Sequence, residues 1–128
     1  MAGPLAAAVE EVYALARRAD HRQLRLLFHE DATWHPWKDG AWKPCENVDD
    51  VVSTLLWRTQ ANRLRPGEVL ELGDRALVQL RGRRLERLGA RGLIPRLFQL
   101  IVMRDGKIAS IHDYGRRDEA YAAAGLNA

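Results

Sequence analysis

Residues 93–114 read LIPRLFQLIVMRDGKIASIHDY, and this stretch decides the fold of the chain. Two apolar runs flank Asp105-Gly106, a dipeptide typical of two-residue hairpin turns because both central residues there adopt positive φ angles. The pattern predicts antiparallel strands over residues 93–104 and 107–114. A long hairpin is therefore expected in the C-terminal part of the chain.

Three shorter strands are predicted upstream of this hairpin. The turn at residues 73–74, Gly-Asp, joins a strand at 68–72 to a strand at 75–81. Residues 32–37 form the first strand, because β-branched and aromatic side chains dominate there. The polar residues 29–31 are expected to end the short helix that precedes this strand.

Three helices are predicted in the N-terminal half. Apolar residues recur at spacings of three and four over residues 4–18, which indicates one amphipathic helix. Asp20, with Gln23 three residues later, has the capping-box arrangement that begins a short second helix. Asn47 is the predicted N-cap of the third helix, which cannot continue through Pro66.

The order of these elements predicts the fold class. The alanine-rich residues 118–124 add a last helical turn, which Gly125 ends. Helix–helix–strand–helix followed by four antiparallel strands is typical of an α+β domain. We expect one domain over residues 1–128, with three N-terminal helices packed on one side of a strongly curved, mostly antiparallel sheet. Such a sheet forms a cone with an internal pocket.

Composition excludes several classes of protein. The chain has 128 residues, 47% of them hydrophobic, which suits one buried core and leaves little room for a second. No apolar run approaches the roughly 20 residues of a membrane-spanning helix. Residues 1–11 carry two acids and no basic segment, so we expect no secretory signal and a cytoplasmic protein. Cys45 is the single cysteine and cannot form an internal disulfide.

Basic residues concentrate in one stretch, although the formal net charge is only +3. Residues 81–96 contain six arginines, three glycines and one acid, Glu86. A surface for single-stranded nucleic acid would interleave aromatic side chains for stacking, and none interrupts this stretch. We therefore favour a solvated loop and expect no nucleic-acid partner. A loop that binds RNA or a protein is the alternative.

Three motifs carry a resemblance to a known family. They are LFHEDATW at residues 27–34, RDGKI at 104–108 and HDY at 112–114. These motifs resemble the nuclear transport factor 2-like superfamily, and more closely its SnoaL-like proteins, over nearly the whole chain. The resemblance implies a cone-shaped pocket for an apolar ligand and a homodimer built on the outer sheet face. It does not select an activity, because this fold hosts isomerases, epoxide hydrolases, cyclases and catalytically silent subunits.

The resemblance argues against ketosteroid-isomerase chemistry. Those enzymes need a tyrosine on the first helix, an aspartate base at the end of the first strand and a protonated acid. An ungapped alignment through residues 31–33 puts Val12 at the tyrosine position, with Tyr13 beside it on a different face. The base position falls on Pro36, and residues 98–99, Phe-Gln, lie near the acid position. The resemblance therefore implies that all three roles are vacant.

The resemblance retains one of the groups that epoxide-hydrolase chemistry requires. Limonene-epoxide hydrolases use two aspartates with an arginine between them, and one aspartate belongs to an Arg-Asp-Tyr run on the last strand. Asp113-Tyr114 matches that run. Leu80 and Gly82 stand where the resemblance implies the remaining arginine and aspartate. Asp113 is thus the one carboxylate left as an acid–base group, and burial in an apolar pocket would raise its pKa towards neutrality.

Strand alternation predicts which candidate side chains face the pocket. The register that the resemblance implies points Asp113 inward and His112 outward. It also points Trp34 and Pro36 inward and His35 outward. His35 and His112 are further catalytic candidates because imidazole titrates near neutral pH, but alternation prevents His112 and Asp113 from facing the same side without a bulge.

Asp113 and the aromatic residues each have a structural alternative. Asp113 would be a structural carboxylate if it paired with Arg116 or Arg96. Tryptophans cluster around the first strand, and they suit a pocket, a core or a dimer interface equally well. Inward aliphatic residues are expected on the middle strands at Val78, Leu80, Leu100 and Val102. The candidate ligand-binding residues are Val12, Trp34, Pro36, Trp57, Leu80 and Leu100, and the wider cluster includes Trp37 and Trp42.

Three functional hypotheses follow. The first is a SnoaL-like protein that binds a small apolar or polycyclic molecule and isomerises, cyclises or hydrolyses it with Asp113. The second is a non-catalytic ligand-binding or dimerisation module. The third is an adaptor that uses the arginine-rich stretch. No cofactor or metal is predicted, since the histidines lack ligand spacing and only one cysteine is present.

Overall fold

The computed structural model describes residues 3–36, 42–82 and 97–126. Within these segments the chain forms four helices and five strands. The helices are α1 (Pro4–Arg17), α2 (His21–Leu26), α3 (Val48–Asn62) and α4 (Arg117–Ala123). The strands are β1 (Phe28–His35), β2 (Arg65–Leu72), β3 (Arg75–Arg81), β4 (Leu97–Arg104) and β5 (Lys107–Tyr114).

Side-chain caps begin α2 and α3 where the sequence predicts them. Asp20 accepts a hydrogen bond from the backbone N–H of Gln23 at 3.1 Å. Asn47 accepts one from the backbone N–H of Asp50 at 2.9 Å. Each cap satisfies an N–H group that has no partner inside its own helix, so it fixes the first residue of that helix.

The end of α3 and the start of β2 differ from the prediction. The helix ends at Asn62, because Arg63 adopts a left-handed conformation with φ of 52° and turns the chain. β2 then begins at Arg65 rather than at residue 68 and includes Pro66. A proline is tolerated there because β2 lies at the edge of the sheet, where one side of the strand needs no N–H donor.

The five strands form one mixed sheet in the order β1-β5-β4-β3-β2. The predicted hairpin joins β4 and β5, with positive φ angles at Asp105 (55°) and Gly106 (76°). All neighbouring strands are antiparallel except β1 and β5, which are parallel. This curved sheet with its helices is the predicted α+β cone.

β1 is longer at its start than the sequence indicates. It begins at Phe28, so residues 29–31 belong to the strand rather than to a break. The register with β5 shifts between Phe28 and Thr33, which marks an irregularity that accommodates these polar residues at the sheet edge. Trp37, the predicted end of the strand, lies outside the described residues.

The two faces of the sheet pack against different helices. We call the face towards α1 and α3 the inner face and the opposite one the outer face. The inner core joins α1, α2 and α3 to residues that include Ala76, Val78, Leu80, Ile101 and Ile111. The outer cluster joins α4 to the sheet through Leu77, Phe98, Leu100, Ala120 and Ala124.

The three N-terminal helices pack on the inner face, as predicted, and α4 lies on the outer face. One prediction about these faces is wrong. Leu100 packs in the outer cluster, and Val102 shares its side by alternation. The inward side chains of β4 are Gln99 and Ile101 instead. Apolar residues occupy both faces of β4 because both faces are covered, so hydrophobicity does not reveal the register.

One contiguous inner core supports the domain. None of the helices in the described segments is long and apolar enough to cross a bilayer. That the whole of residues 1–128 forms a single domain stays a prediction.

Candidate functional site

Asp113 lies on the inner face of β5, as predicted, and is only 2% exposed. Its register partner on β4 is Gln99. On the other side of β5, Trp34 of β1 pairs through the parallel register with Ile111, which lies two residues before Asp113 and on the same face of the strand. These two neighbouring strands therefore place a side-chain amide and an indole beside the same buried carboxylate.

Donors from three elements meet this carboxylate. Oδ1 of Asp113 accepts hydrogen bonds from Nε1 of Trp34 at 2.9 Å and from Nε2 of Gln99 at 3.1 Å. Oδ2 lies 3.5 Å from a guanidinium nitrogen of Arg58 on α3. The predicted partner Arg116 pairs with Asp118 instead, and the other predicted partner, Arg96, lies outside the described residues.

Burial dominates the electrostatics of Asp113. Desolvation raises the pKa of its carboxyl from 3.8 to about 6, although Trp34, Gln99 and Arg58 each act to lower it. A carboxyl with a pKa near 6 exchanges its proton close to neutral pH. The group therefore has the protonation behaviour of an acid–base catalyst, or of a proton-binding switch.

Tyr13 extends the polar cluster to α1. Its hydroxyl donates a hydrogen bond to Oε1 of Gln99 at 2.5 Å, and its side chain is fully buried. Burial and the nearby Asp113 raise the pKa of Tyr13 well above its ordinary value, so its hydroxyl remains protonated. Val12 and Tyr13 are both buried in the inner core, and of the two only Tyr13 contributes a polar group to this cluster.

Arg58 connects the buried cluster to the surface. Its guanidinium lies 5.0 Å from the ring centroid of Trp34 and 4.5 Å from that of Trp42. The two indoles are themselves in edge contact, with centroids 5.9 Å apart and planes at 86°. Cation–π attraction to two rings fixes the arginine and offsets part of its desolvation. The tryptophan cluster is confirmed for Trp34 and Trp42.

A short backbone bridge fixes Trp42 at this position. Cys45 and Trp34 exchange two backbone hydrogen bonds of 2.9 and 3.0 Å, so the segment that follows residue 41 runs along the edge of β1. Cys45 is buried, and its sulfur lies 3.5 Å from the hydroxyl of Thr54 on α3. The bridge and this contact together hold the segment against the helix.

A groove of about 360 Å³ opens between this segment and α3. Its lining combines aromatic, hydroxyl, thiol and cationic side chains: Trp42, Lys43, Cys45, Ser53, Thr54, Trp57 and Arg58. Trp57 is 72% exposed, which is unusual for so large an apolar side chain. The groove is the surface from which Arg58, itself 25% exposed, reaches inward to Asp113.

The predicted ligand-binding residues are not brought together. Trp57 lines the groove, and Trp34 lies directly beneath it through Arg58. Val12 and Leu80 are buried in the inner core, where packing alone accounts for them. Pro36 lies half-buried just after β1. Leu100 faces outward, in the cluster with α4.

His35 and His112 lie on the outer face, as predicted. They are register partners on β1 and β5, and their rings stack with centroids 4.4 Å apart and planes at 13°. Burial and the neighbouring His35 lower the pKa of His112, which keeps that ring neutral at physiological pH. The sheet separates both rings from Asp113, so the three catalytic candidates do not form one site.

Two further observations bear on rival chemistries. Among the described residues, no three His, Cys, Asp or Glu side chains lie close enough to hold a metal ion. Gly82 stands where the resemblance implies a catalytic aspartate, and here a Cβ atom would lie 2.7 Å from the carbonyl oxygen of Asn62. Close packing thus accounts for this glycine. Most of the arginine-rich stretch lies outside the described residues.

Sequence reasoning missed Arg58, Gln99 and Tyr13 as members of the polar cluster. Arg58 is separated from Asp113 by 55 positions and belongs to a helix with many polar residues, so no local pattern marks it. Gln99 did carry a signal, because it is the single polar residue within the apolar run of residues 97–103. A buried polar residue in such a run needs a hydrogen-bonding partner, which here is Asp113.

The sequence itself matches no family model and no curated protein. Solved structures do match it. An NTF2-like protein of unknown function from Mesorhizobium loti is 18% identical, with 87% of this chain and 89% of that chain covered and a TM-score of 0.63. A proposed polyketide cyclase from Sinorhizobium meliloti is 22% identical, with coverages of 79% and 87% and a TM-score of 0.55.

A third structure is an LEH-like epoxide hydrolase from M. tuberculosis, 17% identical, with 84% of this chain and 78% of that chain covered and a TM-score of 0.55. The chain therefore has the nuclear transport factor 2-like fold, which confirms the fold that its motifs predict. At these identities the likeness concerns the fold, and the activity has to be argued from the groove and its residues.

Proposed function

We propose that this chain is a pocket protein that binds a small apolar or polycyclic molecule in the groove beside α3. The stacked unit of Trp34, Arg58 and Trp42 carries the proposal. Trp42 and Arg58 present an aromatic surface and a fixed cation to a groove of about 360 Å³, within the range of small-molecule sites, and the buried Trp34 supports Arg58 from beneath. Trp57 adds a second aromatic wall, so a flat ring is the shape that the groove suits best.

Catalysis by Asp113 is the second candidate, and its raised pKa favours it. An acid–base carboxyl near pKa 6 suits isomerisation, cyclisation or hydrolysis at neutral pH. The carboxyl is buried behind Arg58, however, so a substrate atom reaches it only after the arginine side chain moves aside. A ligand in the groove need not touch the buried carboxyl, whereas a substrate must reach it, so we rank binding first.

A thermal-shift screen tests the binding function. The panel contains steroids, terpenoids, aromatic polyketides and epoxides. A ligand at 100 times its dissociation constant adds about 2.7 kcal/mol to the free energy of unfolding, which raises the midpoint of a domain of this size by several degrees. The proposal predicts at least one ring-containing hit. No shift across the panel would contradict it.

Two surface variants place the hit in the groove. Trp57→Ala removes one aromatic wall and is expected to weaken binding by about tenfold or more, the effect of losing a stacked ring contact. Leu26→Ala is the matched control, because Leu26 is the other exposed large apolar residue of the described chain and lies outside the groove lining. Equal affinities for the two variants would place the ligand elsewhere.

Asp113→Asn then separates binding from catalysis. The amide oxygen can still accept hydrogen bonds from Trp34 and Gln99, but the group no longer exchanges a proton. An enzyme that uses Asp113 loses turnover of the hit compound, whereas a binding protein retains its affinity. Turnover that survives this replacement would remove Asp113 from the catalytic candidates.

A further inference from the structure

The charge of the groove narrows the class of its ligand. Among the described residues that line it, two are cations, Lys43 and Arg58, and none is an acid. Ser53 and Thr54 add hydroxyl groups. A groove that combines two indoles, two cations and two hydroxyls complements a ring that carries a negative charge. A neutral hydrocarbon would leave both cations without a ligand partner.

The pairing of Arg58 with Asp113 is open to competition. Their closest nitrogen–oxygen distance is 3.5 Å, longer than the 2.7–2.9 Å of a charge-assisted hydrogen bond. Arg58 also retains an exposed surface towards the groove, whereas Asp113 is buried behind it. An anionic group in the groove therefore meets the same guanidinium from its open side, without first displacing a short hydrogen bond.

We infer that the groove selects ring-bearing organic acids, and that their carboxylate or enolate draws Arg58 away from Asp113, which takes up one proton from solvent as the ligand binds. This inference rests on the proposed function, because it uses the same groove. It makes ligand binding and the protonation of a buried carboxyl one coupled event. The bound complex then holds a neutral acid directly behind an anionic ligand.

The surroundings of Asp113 determine the direction of this coupling. Arg58 faces it from α3, Tyr13 from α1, Trp34 from β1 and Gln99 from β4. Arg58 is the only one of these four that carries a charge at neutral pH. When the ligand anion binds Arg58, the Asp113 carboxylate loses its neighbouring cation and gains a neighbouring anion. Both changes favour the neutral form of Asp113.

Asp113 is able to take up a proton in the free protein at pH 7. Its Asp113 has a pKa of about 6, so the group is mostly ionised at pH 7. In the complex the same pKa lies higher, and the group is protonated at pH 7. Affinity for an anionic ring should therefore rise as the pH falls from 8 to 6, by up to about tenfold per pH unit, and level off below pH 6.

Calorimetry with two matched probes tests the inference on the full chain. The probes are 2-naphthoate and 2-naphthamide, which share a ring system and differ in charge. Titrations at pH 7 in phosphate and in Tris report the number of protons taken up, because the two buffers release protons with different heats. We expect naphthoate to bind at least tenfold more tightly, with an uptake approaching one proton, and naphthamide to bind without uptake.

Asp113→Asn is the control variant for the proton. It should still bind naphthoate, with no proton uptake and no rise in affinity between pH 8 and pH 6. The wild-type proton count decides the question even if this variant does not fold. Arg58→Gln should bring the affinity for naphthoate closer to that for naphthamide and abolish the proton uptake, because Lys43 is then the one cation left of the two that line the groove.

The possible failures are distinguishable. Equal affinity for the two probes, or naphthoate binding without proton uptake, would overturn the inference and leave the ring-binding function intact. If neither probe binds and the ligand panel also gives no hit, both the inference and the proposed function are overturned.

Discussion

His112 and Asp113 are consecutive residues of β5 on opposite faces of the same sheet. Asp113 faces inward, where desolvation raises its pKa to about 6. His112 faces outward and is half-buried, and there desolvation together with His35 lowers its pKa. The two pKa shifts have opposite signs but the same largest cause, because burial disfavours the charged form of an acid and of a base alike.

Asp113 and His112 differ in the number of structural elements whose side chains contact them. Side chains from two strands and a helix meet Asp113, whereas the ring contact of His112 is the stack with its strand neighbour His35. A buried polar group that several elements share couples their positions, so a change there affects all of them. We therefore expect substitutions on the inner face to change the free energy of unfolding more than substitutions one residue away on the outer face.

Consecutive residues of β1 give the largest expected contrast. Trp34→Ala removes a fully buried indole, leaves a cavity and takes one donor from Asp113, so we expect a loss of about 3–5 kcal/mol in the free energy of unfolding. His35→Ala, on the outer face, should lose about 1 kcal/mol or less. Urea denaturation at pH 7 measures both. Similar losses for the two variants would contradict the expected difference between the inner and outer faces. Trp34→Phe replaces the alanine variant if that variant does not fold.

Asp113→Asn tests the electrostatic half of the comparison. The carboxyl ionises near 3.8 in the unfolded chain and near 6 in the folded protein, so the folded state binds more protons between these values. Its contribution to stability is therefore complete below pH 3.8 and is lost as the pH rises through 6. The loss amounts to at most about 3 kcal/mol.

The variant lacks this titration. The stability of wild type relative to Asp113→Asn should therefore fall between pH 4 and pH 6, as measured by urea denaturation at half-unit steps. All other titrating groups are common to the two proteins and cancel in the difference. Parallel profiles would mean that the folded pKa of Asp113 is close to its ordinary value.

A pair of tyrosines provides the next contrast. Tyr13→Phe removes the hydroxyl that donates to Gln99 and leaves a buried carbonyl oxygen without that donor, for a loss of about 1–3 kcal/mol. Tyr121→Phe is the control on α4, where the hydroxyl accepts a hydrogen bond from Arg117 at the surface. We expect a change of about 0.5 kcal/mol or less there. Equal losses would show that the inner cluster adds no stability beyond a surface contact.

Local chemistry explains which parts of the fold the sequence predicted. The Asp105-Gly106 turn, β3, β5 and the caps at Asp20 and Asn47 depend on residues close together in the chain, and all are confirmed. The facing of β5 was also predicted, because the superfamily resemblance supplied its register. The turn, the two strands and the caps are features that short-range backbone preferences determine, whereas the facing of β5 is not.

Long-range contacts explain what was missed. On β4 the apolar residues on both sides are buried, so alternation carried no information and Leu100 was assigned to the wrong face. Gln99 faces inward, because Asp113 and Tyr13 provide hydrogen-bonding partners for its side-chain amide there. The groove depends on Arg58, whose position relative to the sheet follows from helix packing and not from any local motif.

The smallest expected effect concerns the outer histidines. NMR titration should give His112 a pKa below 6.5, and His35→Ala should move that pKa back towards 6.5 by removing a neighbouring charge. Asp113→Asn should move it less, although Asp113 is adjacent in sequence, because the sheet lies between the two side chains. A larger response to the Asp113 replacement than to the His35 replacement would mean that the two faces are electrostatically coupled. The outer histidines would then belong with the proton equilibrium of the groove.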